Sequence, residues 1–495
     1  MFRRRMPLLA LIVIAALLIA PVSALAQDLP QTYTSADGLL TFSYPEGWAI
    51  DEQFGTILIA NSADAIGGLD EASAIAPGQV VIAILPPTSL TEQLGLMGID
   101  SEAGPQALIE SYIELLGPES FESPEPLSAG DNPVVRARGT DQEQAQDLYA
   151  IDLGEAGLAL AAVVSAPGEQ GQFDDDVLAI LATLQAEPAA PLAEAGSVIW
   201  QQVRPIAEVP DEASQYGDLS AVAVGPDDTI YALDMLSGIH VFEPDGTEQG
   251  VIAPTGFDDI AADLTVGEDG TLWLLDYSGT VTHLDAAGAT LGSFSITAAA
   301  GAGFFGGQIA FGPDDNLYVL TPQPGDTDEA QIGLVSVVDQ TGQVVRSFEV
   351  GRSDFYYDAL LAFGPDGNLY VADVTGQSGV QVFDAEGNLI REGIGATVLY
   401  AGPSALTVAP DGSIYVAAAL GTIYHFGSDG TLLGRFGESQ FNLTLELDAE
   451  TFPVFEPGQF YQITGLAALS DGDVIVTDYN PSWVQIVRLS FDQQE

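Results

Sequence analysis

FGPDGNLYVAD, Phe363–Asp373, decides how the C-terminal three fifths of this chain is read, because that region repeats it with variations. VGPDDTIYALD (Val224–Asp234), VGEDGTLWLLD (Val266–Asp276), FGPDDNLYVLT (Phe311–Thr321) and VAPDGSIYVAA (Val408–Ala418) align with it without gaps. LSDGDVIVTD (Leu469–Asp478) aligns one residue shorter at its head. Each copy joins an apolar run, a tight turn on Asp-Gly or Asp-Asp, and a second run rich in β-branched and aromatic residues. That is the pattern of a β-hairpin whose turn residues tolerate positive φ. A second turn follows most copies, at Pro244–Thr247, Ala286–Ala289, Gln340–Gln343, Ala385–Asn388 and Ser428–Thr431. Runs such as Val380-Gln381-Val382-Phe383 and Leu389-Ile390 flank it, so each unit holds four strands.

Four antiparallel strands per unit, repeated radially, is the pattern of a propeller. The matching turn positions 228, 270, 315, 367, 412 and 472 stand 42 to 60 residues apart, the longer intervals marking longer loops. The sixth unit runs out of chain after Trp483–Leu489, with no second Gly turn. A ring needs that edge closed, and Val198-Ile199-Trp200-Gln201-Gln202-Val203, just before the first unit, is the available strand.

The stretch FGPDGNLYVADVTGQSGVQVFDAEGNLI (Phe363–Ile390) resembles an NHL repeat. The units are also similar to those of the gluconolactonase and regucalcin type and of the streptogramin-lyase type. The resemblance spans residues 197–495 and implies an all-β six-bladed propeller. It implies an architecture and not an activity, since one fold carries many functions.

The N-terminus, MFRRRMPLLALIVIAALLIAPVSALAQ, has three Arg, an apolar run and Ala24-Leu25-Ala26 before Gln27. It reads as a secretory signal over residues 1–26 with A-x-A cleavage, and the run is short for a full membrane span. No Cys follows it, which argues against a lipid anchor. Beyond it the basic residues are Arg136, Arg138, Arg204, Arg346, Arg352, Arg391, Arg435 and Arg488, eight against 71 acids, a formal charge of −63. Such a surface repels nucleic acid and anionic lipid, so neither is expected as a partner. The expected product is a monomer, secreted or held at the exterior of the cell envelope. The absence of Cys removes disulfides and thiol chemistry.

Residues 32–185 change pattern. An Asp-Gly turn precedes the alternating strand Leu40–Tyr44, and strands are predicted at Thr56–Ala60, Val80–Leu85, Val134–Arg138 and Leu158–Ser165. Pro105–Leu116 and Phe173–Leu184 carry helical apolar stripes. DGLLTFSYPEGW and VVSAPGEQGQFDDDVLAILATLQ (Val163–Gln185) resemble a PsbP-like domain, which implies an α/β accessory or assembly module ahead of the propeller. The Pro/Ala segment 186–196 reads as a linker.

For a site, the Asp that closes the second strand in four units is the leading feature: Asp234, Asp276, Asp373 and Asp478. Thr321 and Ala418 break the series. Such residues either face one end of the channel or cap turns by accepting backbone N–H bonds. Loops between units carry aromatics, among them Phe257, Phe304, Phe305, Tyr356, Tyr357, Phe460 and Tyr461. Acids accompany them at Asp258, Asp259, Asp263, Asp354 and Asp358. An aromatic, acidic face suits stacking on a sugar or gripping a peptide, and inter-blade packing is the alternative. The ligand-binding candidates are therefore Asp234, Asp276, Asp373, Asp478, Tyr356, Tyr357, Phe257 and Tyr461.

His240, His283 and His425 all fall in third strands, away from a propeller channel, which argues against a joint catalytic role. The gluconolactonase resemblance implies a divalent metal held by an Asp like Asp478 with a Glu and Asn residues. Leu219-Ser220-Ala221 stands where the Glu is expected, and no Asn precedes Leu406. No cofactor, catalytic residue or metal set is therefore assigned. The leading reading is an exported, non-enzymatic binding or scaffolding protein for a protein, peptide or glycan ligand; the alternative is a hydrolase or lyase of the gluconolactonase type.

Overall fold

A computed structural model describes residues 29–491 except 36–37, 54, 71–74, 91–103, 118–119, 140–144, 167, 189–195, 206–218, 235–237, 254–260, 297–306, 325–330, 354–358, 374–378, 397, 400–401, 419–420, 440–455 and 480–482. The segment read as a secretory signal lies outside the described residues. The chain divides into two compact units, Met1–Pro191 and Leu192–Glu495.

In the first unit, seven antiparallel strands lie in the order Ala49–Gln53, Thr56–Ala60, Val80–Leu85, Leu158–Ser165, Ala145–Asp152, Asn132–Arg138 and Glu125–Ala129. The all-apolar strand Val80–Leu85 is buried along its whole length because both faces of the sheet are covered. Val80, Ile82 and Ile84 pack with Val177, Ile180 and Leu181 of the helix Asp174–Leu181. On the other side Leu85 and Leu160 meet Leu108, Ile109 and Tyr112 of the helix Gly104–Leu116. Arg136 and Arg138 both bind Asp174 in the first turn of its helix, and Arg136 also binds Glu125. A three-stranded sheet joins Gln31–Thr34, Leu40–Tyr44 and Gln185–Ala186. Ala186, the first residue of the expected linker, is thus a strand residue paired with Leu40.

The second unit holds six four-stranded antiparallel sheets among the described residues. Five follow chain order, from Leu219–Val224 to Glu248–Ile252, Ala261–Val266 to Thr290–Ser295, Gln308–Phe311 to Val344–Ser353, Ala359–Phe363 to Leu389–Ile394 and Pro403–Val408 to Leu432–Phe436. The sixth takes three strands from Gln462–Ala468, Val474–Tyr479 and Trp483–Ser490 and its fourth from Ser197–Pro205, at the start of the unit. The strand expected to close the ring does so, antiparallel, with Trp200 opposite Arg488 and Val203 opposite Gln485.

First strands of successive sheets are neighbours, and that of the sixth returns to that of the first. All six line one axial cavity of about 290 Å3. This is a β-propeller, and its second strands are buried throughout where described: Ile230–Asp234, Leu272–Asp276 and Ile414–Ala418 expose no residue appreciably. Between sheets the core is a row of interlocked clusters, such as Trp273, Leu275 and Val281 against Ile309, Leu317 and Val319.

One contact recurs around the ring. A fourth-strand side chain of each sheet sits on the turn glycine of the next: Trp200 on Gly246, Ile252 on Gly288, Phe294 on Gly342, Phe348 on Gly387 and Arg391 on Gly430. The sixth sheet has no such turn, and there Gly196, just before the closing strand, receives Phe436. Arginines reinforce the contact by donating to one equivalent turn carbonyl in the next sheet. Arg346 donates to Ala385 O at 2.6 Å, Arg391 to Ser428 O at 3.0 Å and Arg488 to Pro244 O at 2.7 Å.

Candidate functional site

The axial cavity is bounded by first strands, whose small and apolar residues (Ala223, Ala310, Ala362, Ala467) leave the passage open. Its one charged lining residue is Asp263. Asp263 does not stand among the loop acids where the sequence pattern put it; it lies within the strand Ala261–Val266. Its Oδ2 accepts the N–H of Ile309 in the next sheet at 2.8 Å, and its Oδ1 accepts the N–H of Leu264 at 2.8 Å. Burial pushes its carboxyl up to about 7 in spite of those two bonds. The residue is half-buried, deep in the ring yet open to the cavity, so cavity water moderates that effect.

Gln308 repeats the device one sheet on, its Oε1 accepting the N–H of Leu361 at 2.8 Å. Asp263 and Gln308 hold the same register, each opposite the residue before the recurrent second-strand Asp position (Leu275 before Asp276, Leu320 before Thr321). The corresponding residues elsewhere are Ala221, Leu360, Ala405 and Gly465. These two polar positions are legible in the sequence only when the repeat is extended upstream of the turn and aligned by strand register.

The second-strand Asp residues are placed as follows. Asp478 is 1 % exposed. It accepts the N–H of Tyr461 at 3.0 Å and a bond from Gln485 Nε2 at 2.7 Å. Burial pushes its carboxyl up to about 7. Asp276 is also buried and takes the N–H groups of Ser278 at 2.9 Å and Thr280 at 2.8 Å, with the Ser278 hydroxyl at 2.6 Å. Both carboxylates therefore cap backbone, the second of the two roles the sequence allows. Asp234 is buried with its Oδ2 3.5 Å from His240 Nε2. Asp373 ends the strand Leu369–Asp373, and its side chain lies outside what is described.

Phe257, Tyr356 and Tyr357 lie outside the described residues. Tyr461 is half-buried, its backbone tied to Asp478. Its neighbour Phe460 is fully buried and packs edge-on to Phe436 with ring centres 6.4 Å apart. Of the expected loop aromatics, Phe460 thus serves inter-blade packing.

The three His occupy third strands of the first, second and fifth sheets and do not converge. His240 Nδ1 is 2.9 Å from Glu248 Oε1. His283 stacks on Trp273 at 3.9 Å and His425 on Tyr415 at 4.6 Å. Burial holds both of these below the usual imidazole range. Among the described residues no group of three or more His, Asp or Glu could hold a metal ion.

The NHL repeat family matches residues 460–487. No curated protein matches the chain. Among solved structures the chain is similar to a streptogramin B lyase, at 13% identity and TM-score 0.39 over 59% of this chain and 98% of that one. It is similar to a virginiamycin B lyase from Staphylococcus aureus, at 12% identity and TM-score 0.38 over 59% and 99%. It is also similar to a gluconolactonase from Xanthomonas campestris, at 15% identity and TM-score 0.39 over 61% and 98%. The propeller itself rests on this chain's own ring of sheets and its closing strand.

Proposed function

We propose that this protein is an exported, non-enzymatic binding or scaffolding protein. In this reading a PsbP-like unit precedes a six-bladed NHL-like propeller, and the chain works as a monomer in the secreted space or at the exterior of the cell envelope. The ligand is a protein, peptide or glycan, held by the loops between blades, with Tyr356, Tyr357, Phe257 and Tyr461 as contacts and the second-strand Asp residues beneath them.

The observation that carries the reading is the occupation of the carboxylates at the cavity wall and at the ends of the second strands. Asp263, Asp276 and Asp478 each accept backbone N–H groups, an arrangement that holds blades and loops in place. Carboxylates committed to backbone N–H groups in this way serve structure, which favours a binding role over catalysis for the loops around them.

The test is a glycan and peptide array probed with the parent and with a Tyr356→Ala/Tyr357→Ala variant, alongside melting curves. Loss of capture with an unchanged melting temperature supports the reading. Identical array profiles, or no capture by the parent, sink it. Terminal sequencing of the exported protein should give Gln27 as first residue, and an intact Met1 would argue for an anchored form.

One observation favours the alternative, a hydrolase or lyase of the gluconolactonase type. Asp263 is the one charged residue that lines the axial cavity, and burial raises its carboxyl toward the range in which a general acid or base works. Lactone turnover by purified protein that is lost in Asp263→Asn with unchanged stability would establish it.

A further inference from the structure

The inner strands offer the axial cavity a ring of backbone groups, and only half of that ring is capped. Residue pairs of an antiparallel ladder alternate between hydrogen-bonded and open. Gly267 closes its hairpin by donating its N–H to Thr271 O at 2.8 Å, which makes the pair Leu264–Leu274 an open one. Leu264 therefore turns its N–H and C=O away from the second strand and towards the axis. Val222, Ile309, Leu361, Leu406 and Leu466 hold the same place in the other sheets, and all six line the cavity.

Three of the six N–H groups have side-chain acceptors. Asp263 takes those of Leu264 and Ile309, and Gln308 takes that of Leu361. Around the rest of the ring the capping position is held by Leu360, Ala405 and Gly465, which carry no acceptor. A Cβ on Gly465 would stand 3.1 Å from the backbone N of Val222, so the place from which Asp263 reaches Ile309 has no side chain there. Among the described residues no side chain accepts the N–H of Val222, Leu406 or Leu466.

Side chains on the same wall are open as well. Thr407 lines the cavity, is 8 % exposed, and its hydroxyl makes no hydrogen bond among the described residues. Ser220 Oγ is buried without a partner. The bond from Leu361 N–H to Gln308 Oε1 fixes Gln308 Nε2 as a donor, and that amide meets no acceptor among the described residues. Buried polar groups in native proteins are rarely left unmatched.

These groups define what would match them. The fifth and sixth sheets stand across the ring from the second and third, so open N–H donors and the Thr407 hydroxyl face the Asp263 carboxylate. The guest needs an acceptor oxygen at one end and donors at the other. A negative guest is opposed by Asp263 and by the formal charge of −63 beyond residue 26, and a positive one is opposed by the uncapped N–H groups. A cavity of about 290 Å3 has the room of about ten waters and limits the guest to a small molecule. One planar primary amide supplies two lone pairs on its oxygen and two donors on its nitrogen.

We propose that the axial cavity binds a small neutral carboxamide, its oxygen accepting from the Leu406 and Leu466 N–H groups and the Thr407 hydroxyl, and its NH2 group donating to Asp263. This site is separate from the loops between blades and does not rest on their binding a ligand.

The experiment is calorimetric titration of the full chain with propionamide at about pH 8, where the Asp263 carboxyl is ionised. Sodium propionate and glycerol, of similar size, are titrated beside it. Propionamide is expected to bind with a Kd of about 1–10 mM, as suits so few atoms, and the other two at least about tenfold more weakly. Thr407→Val keeps the shape of the side chain and removes only its hydroxyl. That variant should bind propionamide about fivefold more weakly, the worth of one hydrogen bond. Its melting temperature without propionamide should be no lower than that of the parent, because the hydroxyl has no protein partner to lose. Absence of propionamide binding up to about 50 mM would mean that the cavity holds water only. That result, propionate or glycerol binding as tightly as the amide, or unchanged affinity in Thr407→Val would overturn the proposal. The array test of the loop tyrosines reads a different face, so either reading can fail alone.

Discussion

The α-carbon of Gly196 lies against the ring of Phe436, and a Cβ there would stand 3.0 Å from Phe436 Cδ2. Gly196 precedes the strand that closes the sixth sheet, and Phe436 ends the fourth strand of the fifth. Together they reproduce, at the one place where the sixth sheet changes chain segments, the seat that a turn glycine provides elsewhere in the ring. The closure therefore copies the inter-sheet contact as well as the strand pairing.

The seat is expected to be sensitive to a single methyl group. At Gly387 a Cβ would overlap the Phe348 ring and the φ is 89°, so Gly387→Ala should destabilise the propeller by about 2–4 kcal/mol. Gly292, in the strand Thr290–Ser295, has open space around it, and Gly292→Ala should leave stability within about 0.5 kcal/mol. Denaturant midpoints of the two variants measure the difference.

Arg488 joins the two ends of the ring. It donates to Pro244 O at 2.7 Å, and its Nε and Nη2 reach Asp473 at 2.7 Å and Asp471 at 2.6 Å. Its side chain is largely buried. Arg488→Ala strands the largely buried carboxylate of Asp473, whose side chain is 13 % exposed, and should cost about 3 kcal/mol. A Trp200→Ala variant breaks the same junction, since Trp200 Nε1 also donates to Pro244 O, at 3.0 Å. The two losses should add to less than their sum, which a double-mutant cycle tests.

The buried carboxyl of Asp478 gives a pH dependence whose sign is fixed. Its folded value, about 7, lies above the ordinary carboxylate value. The folded state therefore binds the proton more tightly between about pH 4 and 7. The stability this supplies is full below the unfolded value and is lost as pH rises through the folded one. Asp478→Asn removes the titration, so the variant should gain on the parent from pH 5 to pH 8. Melting temperatures of both proteins across that range decide it, and a constant difference would mean the carboxyl stays ionised when folded.

A formal charge of −63 on the chain beyond residue 26 predicts self-repulsion that salt relieves. Melting temperature should rise from about 0.01 to 0.5 M NaCl, the range over which the screening length shortens severalfold. A flat or falling curve would show that the acids are spaced widely enough not to oppose folding.

Much of the propeller is written in local patterns. Strand runs such as Leu369-Tyr370-Val371, the Asp-Gly turns and their spacing depend on backbone preferences and side-chain alternation, which act over a few residues. They therefore appear in one dimension. Even the closing strand was legible, because a sixth unit short of one strand and a spare apolar run at Val198–Val203 left a single economical pairing. In the first unit the apolar strands Thr56–Ala60 and Val80–Leu85 are predicted to the residue. Glu125–Ala129 and Ala145–Asp152 escaped, because EPLSA and AQDLYAID carry little alternation and owe their strand state to pairing with Asn132–Arg138 and Leu158–Ser165.

What only the tertiary structure decided is the use of each polar side chain. Asp276 and Asp478 look alike in the repeat, yet one caps its own turn and the other holds a backbone N–H 17 residues away. Asp263 looks like a loop acid and lies in the channel wall, because a bulge between Ala261 and Asp263 shifts the register there. The sequence by itself determined the number and order of hairpins, since hydrophobic periodicity and turn chemistry are local. The destination of each carboxylate depends on which N–H or hydroxyl the folded chain brings within about 3 Å, and that partner comes from its own turn for Asp276, from its own sheet for Asp478 and from the next sheet for Asp263.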